Sequence, residues 1–210
     1  MYVPPHFAEH RPEELHRILR AHPLGALVTA GEGGPEADHL PFEFDAGAGA
    51  HGVLRAHVAR ANGLWRRCAG GCPALAIFRG AEAYVSPNWY PSKHATHRQV
   101  PTWNYEAVHA HGILRAVDDA TFVRGLLARL TRRHEAGEAR PWRMGDAPPD
   151  FLDRMLAAVV GIELEITRLE GKRKLSQNKE ARDGLAAAAQ LEARGGAALA
   201  EAMRRAFDGR

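Results

Sequence analysis

The chain has 210 residues, of which 45% are hydrophobic and 25% are charged, with a formal net charge of only +3. These values are ordinary for a globular protein that buries a core, and so small a positive charge does not argue for a nucleic-acid partner. No stretch approaches the apolar length of a membrane span, whereas the 12 histidines are unusual and raise the question of a metal or haem site.

The first half of the chain predicts one helix followed by several strands. Pro12, Glu13 and Glu14 are typical of the first turn of a helix, and Pro23 ends it. Apolar runs and alternation predict strands at residues 24–30, 36–44 and 52–58, a short helix at 61–68, and a hairpin in which strands 73–78 and 82–85 flank Arg79 and Gly80.

The second half predicts longer elements. These are a strand at residues 103–116, helices at 121–134 and 151–157, a strand at 161–171, and two Ala-rich helices after residue 178 that Gly195 and Gly196 separate. Strands and helices do not alternate in a βαβ rhythm. The sequence therefore predicts a mainly β (α+β) fold, a small barrel or sandwich of antiparallel strands with peripheral helices and a C-terminal helical pair.

The N-terminus and the cysteines indicate a cytoplasmic protein. The first residues lack the basic and apolar regions of a signal peptide. Cys68 and Cys72 are a poor zinc site by themselves, and a disulfide across so short a loop would stabilise little. We therefore expect two reduced thiols.

Residues 84–105 are strongly enriched in aromatic side chains, which make up only 7% of the chain. Rings, prolines that fix turns, and nearby cations are what a flat anionic ligand requires. The alternative is a Pro-stiffened surface loop that packs its rings on the core.

Several residues could contact such a ligand. Arg55 and His57 share one face of the predicted strand 52–58, close to Arg60 and Asn62, and could hold a phosphate or the polar edge of a ring. The alternative for this group is a solvated strand face.

Lys93 beside Ser92 is suited to a phosphate, although it could equally be an ordinary loop lysine. Thr102, Trp103 and Asn104 combine a hydroxyl, a ring and an amide that matches the imide edge of a flavin or a nucleobase. Their alternative role is the start of a strand whose Trp lies in the core.

Two further groups keep alternatives open. The basic segment at residues 172–178 could meet an anionic ligand from a second side, or it could be a strand end followed by a helix cap. His109 and His111, with His57 or His94, could bind a transition metal, or they could be neutral imidazoles on a half-exposed strand.

The sequence lacks the glycine-rich Rossmann fingerprint, the Walker A sequence, the G-x-S-x-G elbow and H-E-x-x-H. These absences exclude the corresponding nucleotide-binding, hydrolase and zinc-protease classes. No helix-turn-helix with a basic recognition helix is evident.

The chain resembles the PaiB-type FMN-binding negative transcriptional regulators. The blocks that carry this resemblance occur in order and nearly from end to end: MYVPPHF (1–7), ADHLPF (37–42), YVSPNWY (84–90), VPTWNYEAVHAHG (100–112), GIELEI (161–166) and KLSQN (174–178). Arg173 is a departure, because an aromatic residue is common at that position, and it could offer a cation instead.

The resemblance implies an FMN-binding split β-barrel, similar to pyridoxamine-phosphate-oxidase-like proteins, which are usually homodimers with the flavin between subunits. It implies a barrel domain over residues 1–171, and a segment 172–210 that packs on the barrel or on the dimer partner. The residues expected to contact FMN, with no metal and no catalytic residue assigned, are Arg55, His57, Asn62, Ser86, Lys93, Thr102, Trp103, Asn104, Lys174 and Gln177.

The resemblance also implies a regulator rather than an enzyme. Any contact with DNA is expected to be largely electrostatic, through surfaces such as Arg129, Arg132 and Arg133. Two alternatives stay open, a flavin-dependent oxidoreductase acting on a small substrate and a histidine-mediated metal or haem binder.

Overall fold

The computed structural model describes residues 1–208, which contain eight strands and seven α-helices. The strands are β1 (Ala8–Glu9), β2 (Leu24–Gly31), β3 (Gly34–Pro41), β4 (Glu43–Asp45), β5 (Val53–Ala59), β6 (Cys72–Val85), β7 (Thr102–Val117) and β8 (Val159–Lys174). The helices are α1 (Pro12–Ala21), α2 (Leu64–Arg67), α3 (Pro91–Thr96), α4 (Ala120–His134), α5 (Pro149–Ala157), α6 (Ala181–Glu192) and α7 (Ala197–Phe207).

The strands form one antiparallel sheet in the order β3-β2-β6-β7-β8-β5-β4, and β1 adds a short pairing to β8. The chain divides into two compact units. Unit 1 comprises residues 1–22, 78–109 and 170–210, and unit 2 comprises residues 23–77 and 110–169. None of the helices within residues 1–208 combines the length and the apolar content needed to cross a membrane.

Unit 2 is built on two sets of antiparallel pairings. Strand β2 pairs with β3 on one side and with the first half of β6 on the other, and β5 pairs with β4 and with β8. Alternating apolar residues on these strands supply the core, which includes Leu27, Leu54, Ala76, Ile162 and Leu164. The Asp119 side chain caps α4 by accepting from Phe122 N over 2.6 Å.

Unit 1 has a separate core made largely by the C-terminal helices. Leu191, Leu199 and Met203 of α6 and α7 pack with Val85, Tyr90 and Leu175. Gly184 permits this packing, because a Cβ there would lie 2.2 Å from the Phe207 ring. The helices α6 and α7 thus belong to the same compact unit as residues 1–22 and 78–109, whereas the division into domains 1–171 and 172–210 stays a prediction.

Most predicted elements are confirmed, and the hairpin at Arg79 and Gly80 is wrong. Strand β6 runs through both residues without a turn. Gly80 is needed for a different reason, because a Cβ there would lie 2.9 Å from the Cβ of Glu106. The predicted strand 36–44 is interrupted at Phe42, and the aromatic stretch contains a helix, α3, that composition did not reveal.

The expectation of reduced thiols is also wrong, because Cys68 and Cys72 form a disulfide with their Cα atoms 5.0 Å apart. Cys68 follows α2 and Cys72 begins β6. The turn between them passes through Gly71 with φ of 92°, a left-handed conformation that glycine adopts readily and that brings the two cysteines together.

Candidate functional site

The ten predicted contact residues fall into two groups. Arg55, His57 and Asn62 belong to unit 2, and the other seven belong to unit 1. Contact with FMN stays a prediction for each of the ten, and the surroundings of each side chain make that prediction stronger or weaker.

Arg55 is already paired with two carboxylates. It stands opposite Glu163 in the β5–β8 pairing and donates to Glu163 over 2.8 Å and to Asp45 over 2.8 Å. The hydrogen bond from Arg55 also lowers the pKa of Asp45 below its ordinary value. An anionic ligand at Arg55 would have to compete with both acids.

His57 has free hydrogen-bonding capacity. Its side chain is partly buried, and its Nδ1 is fully buried without a hydrogen-bond partner among residues 1–208. Burial lowers its pKa below 6.5, so the imidazole is neutral at pH 7. A neutral imidazole can donate from one nitrogen and accept at the other, which suits the polar edge of a heteroaromatic ring.

The Asn62 amide, by contrast, is used at both ends. Its Oδ1 accepts from Leu64 N over 2.9 Å at the start of α2, and its Nδ2 donates to Asp38 over 2.7 Å. These bonds give Asn62 a role in positioning α2.

Ser86 and Lys93 lie on either side of a short turn in unit 1. The Ser86 hydroxyl accepts from Asn88 N over 3.3 Å and caps a 3-10 helix, Pro87–Trp89. Lys93 projects from α3, and its ammonium has no hydrogen-bond or ion-pair partner in residues 1–208. Buried Asp183 anchors α3 by accepting from Ser92 N over 3.0 Å.

The alternation of β7 sends Trp103 and Asn104 to opposite sides. Trp103 is 56% exposed and makes an edge contact with Tyr84, with ring centroids 6.4 Å apart. Asn104 is only 1% exposed and donates to Ser176 Oγ over 2.9 Å. The Tyr90 hydroxyl, 3.1 Å from the same Oγ, completes a buried polar network.

Lys174 connects the end of β8 to the start of β7. Its ammonium donates to the Thr102 hydroxyl and, over 2.6 Å, to the carbonyl of Trp103. Gln177 holds the turn after β8, because its amide donates to Arg173 O over 2.6 Å and accepts from Leu175 N over 2.7 Å. The predicted residues Thr102, Trp103 and Lys174 are thus brought together.

Two more lysines extend this basic surface, and we call Lys172, Lys174 and Lys179 the lysine cluster. Lys172 donates to Tyr2 O over 3.1 Å and lies 5.4 Å from the Tyr105 ring centroid, while Lys179 donates to Gln99 over 2.6 Å. No carboxylate within residues 1–208 forms an ion pair with any of the three.

The pKa of Lys174 reflects this crowding of charge. Burial lowers it below 10.5, and the like charges of Lys172 and Lys179 lower it further. An anion bound here would offset both the desolvation of Lys174 and its repulsion by Lys172 and Lys179. The sequence singled out the basic segment 172–178, which contains Lys172, as a possible contact for an anionic ligand, whereas Lys179 lies just beyond that segment and was missed.

Arg173, which could have offered a cation to a ligand, is instead buried inside unit 1. It is 5% exposed and ion-paired with Glu9 and Glu106 at 3.2 and 2.7 Å. Burial alone would raise the pKa of Glu9, but hydrogen bonds from Arg11 and Arg173 outweigh it and lower the pKa to about 2. His109 and His111 are partly buried on β7, and both already interact within the protein.

Comparison with known proteins agrees with the chemistry of this surface. Residues 1–168 match the family described as "Putative FMN-binding domain". The Protease synthase and sporulation protein PAI 2 of Bacillus subtilis is 30% identical over 192 residues, which cover 91% of this chain and 89% of that protein. The uncharacterized protein YKL070W of Saccharomyces cerevisiae is 32% identical over 67% of this chain and 93% of its own length.

Solved structures show the fold. The FAD and heme binding protein from Mycobacterium smegmatis matches with a TM-score of 0.59 at 20% identity, covering 86% of this chain and 79% of its own. The flavocytochrome Anf3 from Azotobacter vinelandii matches with a TM-score of 0.57 at 17% identity, covering 80% and 69% respectively. The predicted class, a split β-barrel with peripheral helices, is confirmed.

The family match spans most of the chain, and the bacterial relative aligns along nearly all of it. The chain therefore belongs to the PaiB-type FMN-binding domain family.

Proposed function

We propose that this protein binds FMN and that the lysine cluster receives the phosphate. The observation that carries the proposal is the set of three ammonium groups without a carboxylate partner in residues 1–208. A phosphate group is the acceptor that such a cluster lacks. Lys93, whose ammonium also lacks a partner in that part of the chain, is a fourth candidate cation.

The ring of the flavin is assigned to the exposed aromatic surface next to Lys174. Trp103 presents more than half of its surface, and the Lys174 ammonium donates to its carbonyl. Indole and isoalloxazine rings both favour offset stacking. Thr102, on the other side of the Lys174 ammonium, adds a hydroxyl. We expect Asn104 and Gln177 to support the site through their bonds to Ser176 and to the turn after β8 rather than touch the ligand.

The test is a titration of the protein with FMN and, separately, with riboflavin, which lacks the phosphate. Quenching of flavin fluorescence reports binding. Lys174→Ala is expected to weaken FMN binding by about 10-fold or more, since a charge-assisted hydrogen bond is lost. Riboflavin affinity is expected to change little, and Lys174→Arg is expected to restore much of the FMN affinity.

Arg182→Ala is the matched control, because Arg182 lies on α6, is exposed and already pairs with Glu180 at 2.8 Å. Equal losses of FMN and riboflavin affinity in Lys174→Ala would show that the lysine supports the fold and does not hold the phosphate. If the unaltered protein does not bind FMN, the proposal is refuted.

A homodimer forms part of the proposal. Tyr2, Tyr84, Val100 and Trp103 are large apolar side chains of unit 1 that are between 45% and 84% exposed. Apolar surface of this kind favours contact with a partner, and the family resemblance implies a second copy. Light scattering on the purified protein should give twice the mass of one chain, and a monomer at micromolar concentration would contradict it.

We also propose that the protein regulates gene expression through contact with DNA. We propose that it acts in the cytoplasm. Support comes from the relationship to PAI 2, a protein named for protease synthesis and sporulation. Arg129 is a weak candidate contact, because both oxygens of Glu43 accept from it at 2.6 and 2.8 Å. Binding to the promoter of its own operon should fall steeply with salt. Binding that salt does not affect, or no binding, would argue against it.

A further inference from the structure

A concave surface separate from the lysine cluster lies in unit 2. It is a groove of about 540 Å³ between the last turns of α4 and residues 141–144. We call it the Trp142 groove, and its chemistry comes from Thr131, Arg132, Glu135, Trp142, Arg143 and Met144. Its volume lies within the range of small-molecule sites in proteins.

Two arginines without ion pairs in residues 1–208 line the Trp142 groove, Arg132 from α4 and Arg143 from residues 141–144. Arg132 and Arg143 are exposed, and neither forms an ion pair within residues 1–208. Other arginines nearby in sequence do, since Arg129 pairs with Glu43 at 2.6 Å and Arg154 with Asp150 at 2.7 Å. Two guanidinium groups facing one groove offer the planar donor sets that bind a phosphate.

The wall formed by residues 141–144 also carries an aromatic ring and a thioether. Trp142 is 42% exposed, and Met144 is half-buried beside it. An indole face stacks on a nucleobase regardless of its identity, and a thioether packs well against aromatic rings. This wall therefore suits a flat heteroaromatic ring.

Backbone hydrogen bonds hold both walls in place. Glu135 Oε2 accepts from Trp142 N over 2.8 Å, which ties the aromatic wall to the end of α4. Arg143 N donates to Asp146 over 2.8 Å, and Asp146 N donates back to Arg143 O over 2.9 Å. The groove is thus formed before a ligand arrives, which reduces the entropy lost on binding.

Glu135 narrows the class of ligand. Its other oxygen, Oε1, accepts no hydrogen bond from residues 1–208, so it can receive one from a sugar hydroxyl or an exocyclic amine. Its charge repels a bare phosphate. A ligand that carries a phosphate for the two arginines, a flat ring for Trp142 and hydrogen-bond donors for Glu135 matches the whole groove.

We propose that the Trp142 groove binds a nucleoside monophosphate, with the phosphate on Arg132 and Arg143, the base on Trp142, and the ribose hydroxyls towards Glu135. This proposal does not depend on the assignment of FMN to the lysine cluster.

The test uses the full chain saturated with FMN, so that any flavin site is already filled. A fluorescent adenosine monophosphate analogue, followed by polarisation and displaced by unlabelled AMP, measures affinity. Trp142→Ala is expected to weaken binding by about 10-fold, as expected for a lost stack, and Trp142→Phe should recover part of it. The double variant Arg132→Ala/Arg143→Ala should weaken AMP but not adenosine.

Arg140→Ala is the matched control, because this exposed arginine is close in sequence but does not line the groove. Unchanged circular dichroism and melting temperature would confirm that each variant folds. The proposal is overturned if AMP does not bind, if inorganic phosphate competes as well as AMP, or if AMP binds the FMN-free protein but not the FMN-saturated protein. Binding of duplex DNA that needs Arg132 but not Trp142, without AMP binding, would overturn it as well.

Discussion

The Arg173 guanidinium donates to Glu106 over 2.7 Å although the two side chains are only 5% and 2% exposed. Glu9, on β1, accepts from the same guanidinium over 3.2 Å, and Arg17, on α1, donates to Glu106 over 2.7 Å. This buried ionic network connects β1, α1, β7 and β8 inside unit 1.

Replacing Arg173 by Met is expected to lower the free energy of unfolding by about 3–5 kcal/mol, because Glu9 and Glu106 then lose the buried cation that they share and keep only the more exposed Arg11 and Arg17. Urea unfolding at pH 7 measures the change. The matched control is Arg182→Met, whose ion pair with Glu180 is exposed and should be worth less than about 1 kcal/mol. Similar small losses for both variants would mean that the buried network contributes no more than a surface pair.

The same network predicts acid sensitivity through Glu9. Its pKa falls from 4.5 in the unfolded chain to about 2 in the folded protein. The folded state therefore favours the carboxylate, and the stability this provides is present above pH 4.5 and is lost as the pH falls towards 2. Linkage makes the full effect about 3 kcal/mol. Unfolding measured between pH 6 and 2.5 should show a shallower decline in Glu9→Gln than in the unaltered protein, and equal slopes would contradict the network.

Sequence patterns predicted those parts of the fold that depend on local periodicity. The apolar stripe of α4 and the alternation in β8 gave these elements nearly their observed bounds. The hairpin at Gly80 failed because a glycine required by close packing on Glu106 looks identical, in sequence, to a glycine required by a turn. Only the neighbouring strand distinguishes the two.

The sequence also predicted some residues of the candidate site and not others. Lys174 and Trp103 were predictable because cations and rings beside a strand are visible in sequence, and the structure brings them together. The buried partners of Arg173 and Asn104 were not predictable, since a polar residue in a polar segment gives no sign of burial. Those partnerships depend on residues 67 and 72 positions away in the chain.

Asn104 has two candidate roles, support of the fold and contact with FMN, and one variant distinguishes them. If it acts through its bond to Ser176, Asn104→Ala should lower the free energy of unfolding by about 1–3 kcal/mol, because a buried polar group loses its partner. FMN affinity should then change less than about threefold below the melting transition, a smaller effect than that of Lys174→Ala. A large loss of FMN affinity with no loss of stability would instead assign the amide to the ligand.

His57 predicts a second pH dependence, nearer neutrality. Burial lowers its pKa below 6.5 in the folded protein, so the unfolded chain takes up a proton more readily. Its contribution to stability is therefore complete above pH 6.5 and declines as the pH falls through the folded pKa. Proton NMR should show the His57 ring titrating below 6.5, and His57→Asn should flatten the decline. Titration of His57 at or above 6.5 would contradict the effect of burial.

Gly112 lies against the backbone of Glu165 in unit 2. A Cβ added there would lie 2.1 Å from the carbonyl oxygen of Glu165, and backbone cannot move aside as a flexible side chain can. Gly112→Ala is therefore expected to destabilise the protein by about 1–3 kcal/mol, the usual range for overpacking, with larger losses if the β7 pairing is disrupted. Gly137→Ala is the matched control, because nothing lies within 4 Å of the position that a Cβ would take there. Thermal unfolding of both variants measures the difference, and a Gly112→Ala protein that melts with the Gly137→Ala control would show that the two strands can separate without cost.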